Sequence, residues 1–265
     1  MIDLPRPLLV GMIHLPPLPG SPSQRMGMAE LTEHALADAA TLADAGFDAL
    51  LVENFGDAPF TADRLEPVTI AALGIITARV KAARPLPVGV NALRNDATAA
   101  LGVAVAAGAD FIRVNVHVGV VAADQGILQG KAAETLRERQ RMGGRIAIFA
   151  DVHVKHATPL SQPDVALAAE ETAYRGLADA LIVTGSTTGR PAGLDQVRRV
   201  KQAVPDRPVL VGSGATAETI ADILGVADGA IVGTSLKPGG RVDLPVDADL
   251  ARVFVRAASP GRRDG

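Results

Sequence analysis

Ile146–His156, IAIFADVHVKH, reads as a strand with two unlike faces. Side chains alternate along a strand, which puts Ala147, Phe149, Asp151, His153 and Lys155 on one side and Ile146, Ile148, Ala150, Val152 and Val154 on the other. The second face is apolar throughout. The first starts apolar and ends in an acid, an imidazole and an amine at the carboxyl end of the strand. A parallel α/β barrel places its packed interior and its reactive rim in this order along each strand.

Working outward, seven more strand-like runs appear: Leu8–Leu15, Ala49–Asn54, Val88–Ala92, Phe111–His117, Ala180–Thr184, Val209–Gly212 and Gly229–Gly233. Helix-forming stretches follow them at Met28–Ala45, Leu65–Ala83, Ala97–Ala107, Lys131–Arg141, Asp164–Arg175, Leu194–Ala203, Ala217–Leu224 and Asp247–Ala258. Eight strands each followed by a helix predict a (β/α)8 TIM barrel in one domain over residues 1–258, with a flexible tail at 259–265. A doubly wound open sheet is the alternative. The turns AGFDALLV, AGADFIRV, LADALIV and VADGAIV share a pattern of small residues and an Asp before a strand, which suggests quasi-repeated units.

Composition narrows the function. Hydrophobic residues make up 48% of the 265 residues, enough for a large core, and the net charge of −3 with scattered Lys and Arg argues against nucleic acid. The absence of cysteine excludes disulfides, thiolate metal sites and thiol nucleophiles. The N-terminus lacks the regions of a signal peptide, and no apolar run approaches the roughly 18 residues of a membrane span. A cytoplasmic protein with a small-molecule partner is expected.

Polar residues gather where the strands end. The first strand ends at His14, the second at Glu53 and Asn54, the third at Asn91, the fourth at Asn115 and His117, the fifth at Asp151, His153, Lys155 and His156, and the sixth at Thr184 and Ser186. Parity joins Arg113 to Asn115 and His117. Lys155, His153, Asp151, His117, Glu53 and Asn115 are the candidate catalytic groups, with His14, Asn91, Arg113, Thr184 and Ser186 as substrate contacts. The glycine-rich turns VLVGSGAT and GAIVGTSLK, after strands seven and eight, fit a barrel phosphate site. Gly212, Ser213, Gly214, Gly233 and Thr234 are its candidate contacts, with Ser235 and Lys237 nearby. GSTTGR at Gly185–Arg190 lacks the ending of a P-loop, and Arg190 is read as an anion clamp or as part of a plain connection.

LVGMIHLPPLPGSP at Leu9–Pro22 resembles the signature of the BtpA/SgcQ family. The resemblance continues through DALLVENFGDAPF, FIRVNVHVG, FADVHVKHA, VTGSTTG and VLVGSGAT, and so covers most of the chain. It implies a phosphate-binding TIM barrel. The family takes its name from a cyanobacterial member implicated in photosystem I biogenesis, and SgcQ-type relatives are linked with carbohydrate utilisation.

These readings predict an enzyme acting on a phosphorylated sugar or related metabolite, of lyase, aldolase or isomerase type, with Lys155 as a Schiff-base candidate. One alternative is a divalent metal held by some of His14, Glu53, Asp151 and His153, although no cofactor is firmly predicted. Another is a non-catalytic assembly or stability factor. Apolar outer helices leave a homo-oligomer open.

Overall fold

The computed structural model describes residues 7–162, 164–185 and 193–259. Eight parallel strands close a barrel: β1 (Leu8–His14), β2 (Ala49–Glu53), β3 (Val88–Asn91), β4 (Phe111–Val114), β7 (Ala147–Val152), β9 (Ala180–Val183), β10 (Val209–Val211) and β11 (Gly229–Val232). Each pairs with its predecessor in the series, and β11 closes on β1 with Leu8 opposite Gly229. The helices α1 (Met28–Ala45), α2 (Pro67–Ala83), α3 (Ala97–Ala107), α4 (Ala132–Arg141), α5 (Val165–Glu170), α6 (Leu194–Ala203), α7 (Ile220–Leu224) and α8 (Ala248–Ala258) lie between the strands in sequence. The (β/α)8 expectation therefore holds, and the open sheet is excluded by the β1–β11 pairing.

Local chemistry explains the helix ends. Asp96, Asp164 and Asp247 cap α3, α5 and α8 by accepting first-turn N–H groups. Gly46 and Gly108 end α1 and α3 in the left-handed conformation, at φ of 98° and 68°. The segment expected as one helix over Asp164–Arg175 is instead α5 followed by a π-helical turn at Glu171–Arg175.

Strand parity fills the barrel. Leu8, Val10, Met12, Ala49, Leu51, Phe111, Ala147, Phe149, Ala180, Ile182, Leu210 and Ile231 form the inner cluster, while Ile13, Leu50, Val52, Ile112, Ile148 and Val183 join the layer shared with the helices. At the inward position on β3 stands Gly89, where a Cβ would lie 2.2 Å from the Phe111 ring. The missing side chain lets Phe111 occupy the axis, stacked on Phe149 with centroids 4.6 Å apart.

The repeated Asp turns at the amino-terminal end act as clamps. Asp48, Asp110, Asp179 and Asp228 precede β2, β4, β9 and β11, and each side chain accepts an N–H of the preceding barrel strand: Leu9, Val88, Ile148 and Val209, all at 2.8 Å. Each Asp also donates its own backbone N–H to the carbonyl of that same residue. Three clamps hold a cation from the helix before that preceding strand: Lys81 on Asp110, Arg139 on Asp179 and Lys201 on Asp228.

Three further strands were not anticipated. β5 (Val120–Ala123) and β6 (Gly126–Gln129) form an antiparallel hairpin, and β8 (Ala157–Pro159) adds to the other side of β5. They pack through Val116, Val121, Leu128 and Val154. No helix among the described residues is long and apolar enough to cross a membrane.

Candidate active site

The carboxyl ends of the strands surround two adjoining cavities. The smaller, about 160 Å³, lies among His14, Glu53, Arg113, Lys155 and the turns Gly212–Thr216 and Val232–Ser235. The larger, about 520 Å³, extends beneath the β5–β6 hairpin among Phe55, Phe60, Arg94, Asn115 and Gln125. Glu53, Arg113 and Lys155 line both.

Buried polar groups form two networks. Arg113 donates to both carboxylate oxygens of Asp151, at 3.0 and 3.1 Å from Nη2, and the Asn115 amide donates to Asp151 at 2.6 Å. All three residues are 5% exposed or less. Glu53 accepts the Asn91 amide and faces His14 Nε2 at 3.8 Å. Burial holds the His14 pKa well below the ordinary histidine value, and the charges of Lys237, Lys155 and Arg113 add to this. His14 is therefore neutral near pH 7.

Lys155 reaches the mouth by an irregular route. Parity holds through Val152, where β7 ends; His153 and His156 then adopt left-handed backbone, with φ of 53° and 58°. Each such conformation at a non-glycine residue costs on the order of 1–3 kcal/mol and is characteristic of functional sites. The Lys155 carbonyl accepts from Arg94 Nη2 at 2.7 Å. Lys155 lines both cavities, and its amine has no hydrogen-bond or ion-pair partner among the described residues. Burial lowers its pKa, opposed by Glu53 and reinforced by Arg113.

Two expected members of the rim lie elsewhere. The turn at His153 rotates its ring away from the face of Asp151, and Nε2 pairs with the Gln162 carbonyl at 2.8 Å. β4 ends at Val114, so the parity that joined His117 to Arg113 and Asn115 stops there. His117 is buried against Gly176, its Nε2 2.8 Å from that carbonyl, outside both cavities. Thr184 is buried beside the site, its hydroxyl donating to the His153 carbonyl at 3.4 Å. Ser186 and Arg190 lie outside the described residues.

The glycines of the two turns have distinct reasons. A Cβ at Gly212 would meet Ile182 at 2.3 Å, and one at Gly233 would meet the His14 ring at 2.5 Å. Both are needed for close packing, and the Gly212 N–H is already used by the Val183 carbonyl. Gly214, at φ 73°, is the conformational glycine. Thr234 and Ser235 open a 3-10 turn, so their N–H groups have no acceptor within it. Hydroxyls stitch the rim together: Ser213 accepts the Gly185 N–H at 2.8 Å and Ser235 donates to the Ala215 carbonyl at 2.7 Å. Lys237 turns inward, 1% exposed, to Asp38 and the Leu244 carbonyl.

The metal donors proposed from sequence do not converge. Asp151 is committed to Arg113 and Asn115, His153 to Gln162, and among the described residues no group of three metal-ligating side chains comes together. Sequence reasoning also overlooked Arg94, within NALRND just after β3, and Gln125 at the hairpin tip. Their positions beside Lys155 depend on tertiary structure.

Fold and rim define a (β/α)8 barrel with a buried, ionisable mouth. The chain belongs to the BtpA family, whose model matches residues 6–260. An uncharacterized protein of Thermococcus kodakarensis is 46% identical, covering 99% of both chains. The photosystem I biogenesis protein BtpA of Synechocystis is 41% identical over 96% of this chain and 88% of its own length. Among solved structures, Mycobacterium tuberculosis tryptophan synthase aligns with a TM-score of 0.62 at 20% identity, over 98% of this chain and 94% of that one. Pyrococcus furiosus N-(5'-phosphoribosyl)anthranilate isomerase aligns at 0.58 and 14%, over 96% and 99%. These structural likenesses concern the fold.

Proposed function

We propose that this chain is an enzyme acting on the carbonyl group of a phosphorylated sugar or related metabolite, through an imine on Lys155. The observation that carries the reading is the Lys155 amine. It is unpartnered among the described residues, depressed in pKa and held by a strained segment where the two cavities join. The turns at Gly212–Thr216 and Val232–Ser235 take the phosphate, with N–H donors from Thr234 and Ser235.

In this mechanism the neutral amine adds to the substrate carbonyl carbon, a proton passes from nitrogen to oxygen to give the carbinolamine, and a second proton, taken up from solvent, lets the hydroxyl leave as water while the nitrogen lone pair forms the C=N bond of a protonated imine. The protonated imine then accepts the electron pair released when a neighbouring C–H or C–C bond breaks. Glu53 is the group placed to carry the proton, because it lines both cavities while Asp151 is saturated by Arg113 and Asn115. Asp151 thereby acts as a positioning residue. The aldolase or isomerase outcome depends on which bond of the substrate lies over Glu53.

Borohydride reduction with a panel of phosphorylated aldoses and ketoses tests the proposal. The expected result is a mass adduct on the peptide containing Lys155, lost in Lys155→Met. Turnover retained by Lys155→Met, with no adduct on the wild type, overturns the imine mechanism. The relative named for photosystem I biogenesis motivates a second reading, a binding protein without turnover. It predicts a stable protein partner in pull-downs and no thermal stabilisation by any phosphorylated metabolite.

A further inference from the structure

Arg94 lies between β3 and α3 and is 5% exposed. The loop that carries it is pinned on both sides. Asn54 accepts the Leu93 N–H at 2.7 Å, and Asn95 exchanges two hydrogen bonds with the Val116 backbone, at 2.8 and 3.0 Å. One Arg94 donor is used by the Lys155 carbonyl, and among the described residues no carboxylate pairs with the guanidinium. Asp151, Glu53 and Asp124 act on it only through space, and burial outweighs them in lowering its pKa, so a ligand's charge in direct contact would offset the remaining desolvation cost.

The surrounding cavity holds complementary groups without partners. Asn115 Oδ1 and Gln125 Oε1 are buried acceptors that receive no hydrogen bond among the described residues. The orientation of Asn115 follows from its donation to Asp151, a carboxylate that in its ionised form only accepts. The larger cavity thus offers a planar cationic fork and two acceptors suited to hydroxyls. Arg94 stands apart from the glycine turns, across the cavity junction marked by Lys155 and Glu53.

We propose that Arg94 binds a carboxylate at the end of the substrate opposite its phosphate, so that the substrate class is a phosphorylated sugar acid with hydroxyls facing Asn115 and Gln125. The inference rests on the phosphate reading of the glycine turns. A carboxylate suits the site because a single guanidinium fork matches its two oxygens and its single charge.

Calorimetric titration with 6-phosphogluconate and sorbitol 6-phosphate isolates the carboxylate, and gluconate serves as the probe without phosphate. The wild-type protein is expected to bind 6-phosphogluconate at least about tenfold more tightly than sorbitol 6-phosphate. Arg94→Gln should bring that ratio to about one while leaving sorbitol 6-phosphate affinity within about twofold, and ligand-free Arg94→Gln should melt no lower than wild type. Arg94→Lys keeps the charge without the fork and should lower the ratio at least about threefold, which carries the test if the Gln variant misfolds. A wild-type ratio near one, a ratio that survives both variants, or no binding of either acid overturns the inference. If gluconate binds as tightly as 6-phosphogluconate and depends on Arg94, the carboxylate site stands and the phosphate reading falls. If sorbitol 6-phosphate binds as tightly as 6-phosphogluconate, the phosphate reading stands and the carboxylate site falls.

Discussion

The two ends of the barrel treat charge in opposite ways. At the amino-terminal end four aspartates repeat one arrangement, each closing on a strand N–H and its carbonyl, and three hold a helix cation. At the carboxyl end no arrangement repeats, and among the described residues the Lys155 amine, Asn115 Oδ1 and Gln125 Oε1 lack partners while the Arg94 guanidinium meets a carbonyl but no carboxylate. Satisfied polar groups stabilise a fold, whereas unsatisfied ones are retained for something that arrives later. On the proposed function, stability and function separate along the barrel axis.

Mutations at the two ends should separate accordingly. The largest effect is expected from Lys155→Met, which should lower turnover of an imine-forming substrate by at least about a thousandfold while leaving the urea midpoint unchanged. Equal losses of activity and stability would erase the contrast. Asp110→Ala should do the reverse. It strips the Val88 N–H of its acceptor and Lys81 of its ion-pair partner, costs about 1–3 kcal/mol in urea denaturation, and leaves activity per folded molecule intact.

Gly233→Ala pushes a methyl group against the His14 ring and should destabilise by about 1–3 kcal/mol while weakening phosphate binding, read by calorimetry with sorbitol 6-phosphate. Smallest is a pH effect. Burial lowers the pKa of both His14 and His117, so each takes up its proton at a lower pH in the folded protein than in the unfolded chain, which titrates near about 6.5. The unfolded state then binds more protons, and stability should fall as pH drops through that value, by no more than about 1.4 kcal/mol per pH unit for each histidine. Urea titrations between pH 5 and 8 should show this slope, reduced in His117→Asn.

Much of the fold was legible because parallel strands buried on both faces carry continuous apolar runs, and the parity of Ala147, Phe149 and Asp151 survives into the barrel interior. The recurring Asp turns were also visible, but their role required knowing which strand N–H each would meet. Parity failed at His153 because a left-handed histidine has no signature in sequence. It failed at His117 because β4 ends three residues earlier than the apolar pattern suggests. Arg94 was hidden for a different reason. The interest of Arg94 is that no carboxylate among the described residues touches it, and an absent contact is visible only in three dimensions.

The aspartate clamps also bear on the order of assembly. Each joins residues only 39, 22, 31 or 19 positions apart, and loop closure over such spans costs little more than over a short hairpin. Neighbouring strands can therefore dock in pairs while the chain is still incomplete, leaving the β1–β11 seam as the one long-range pairing.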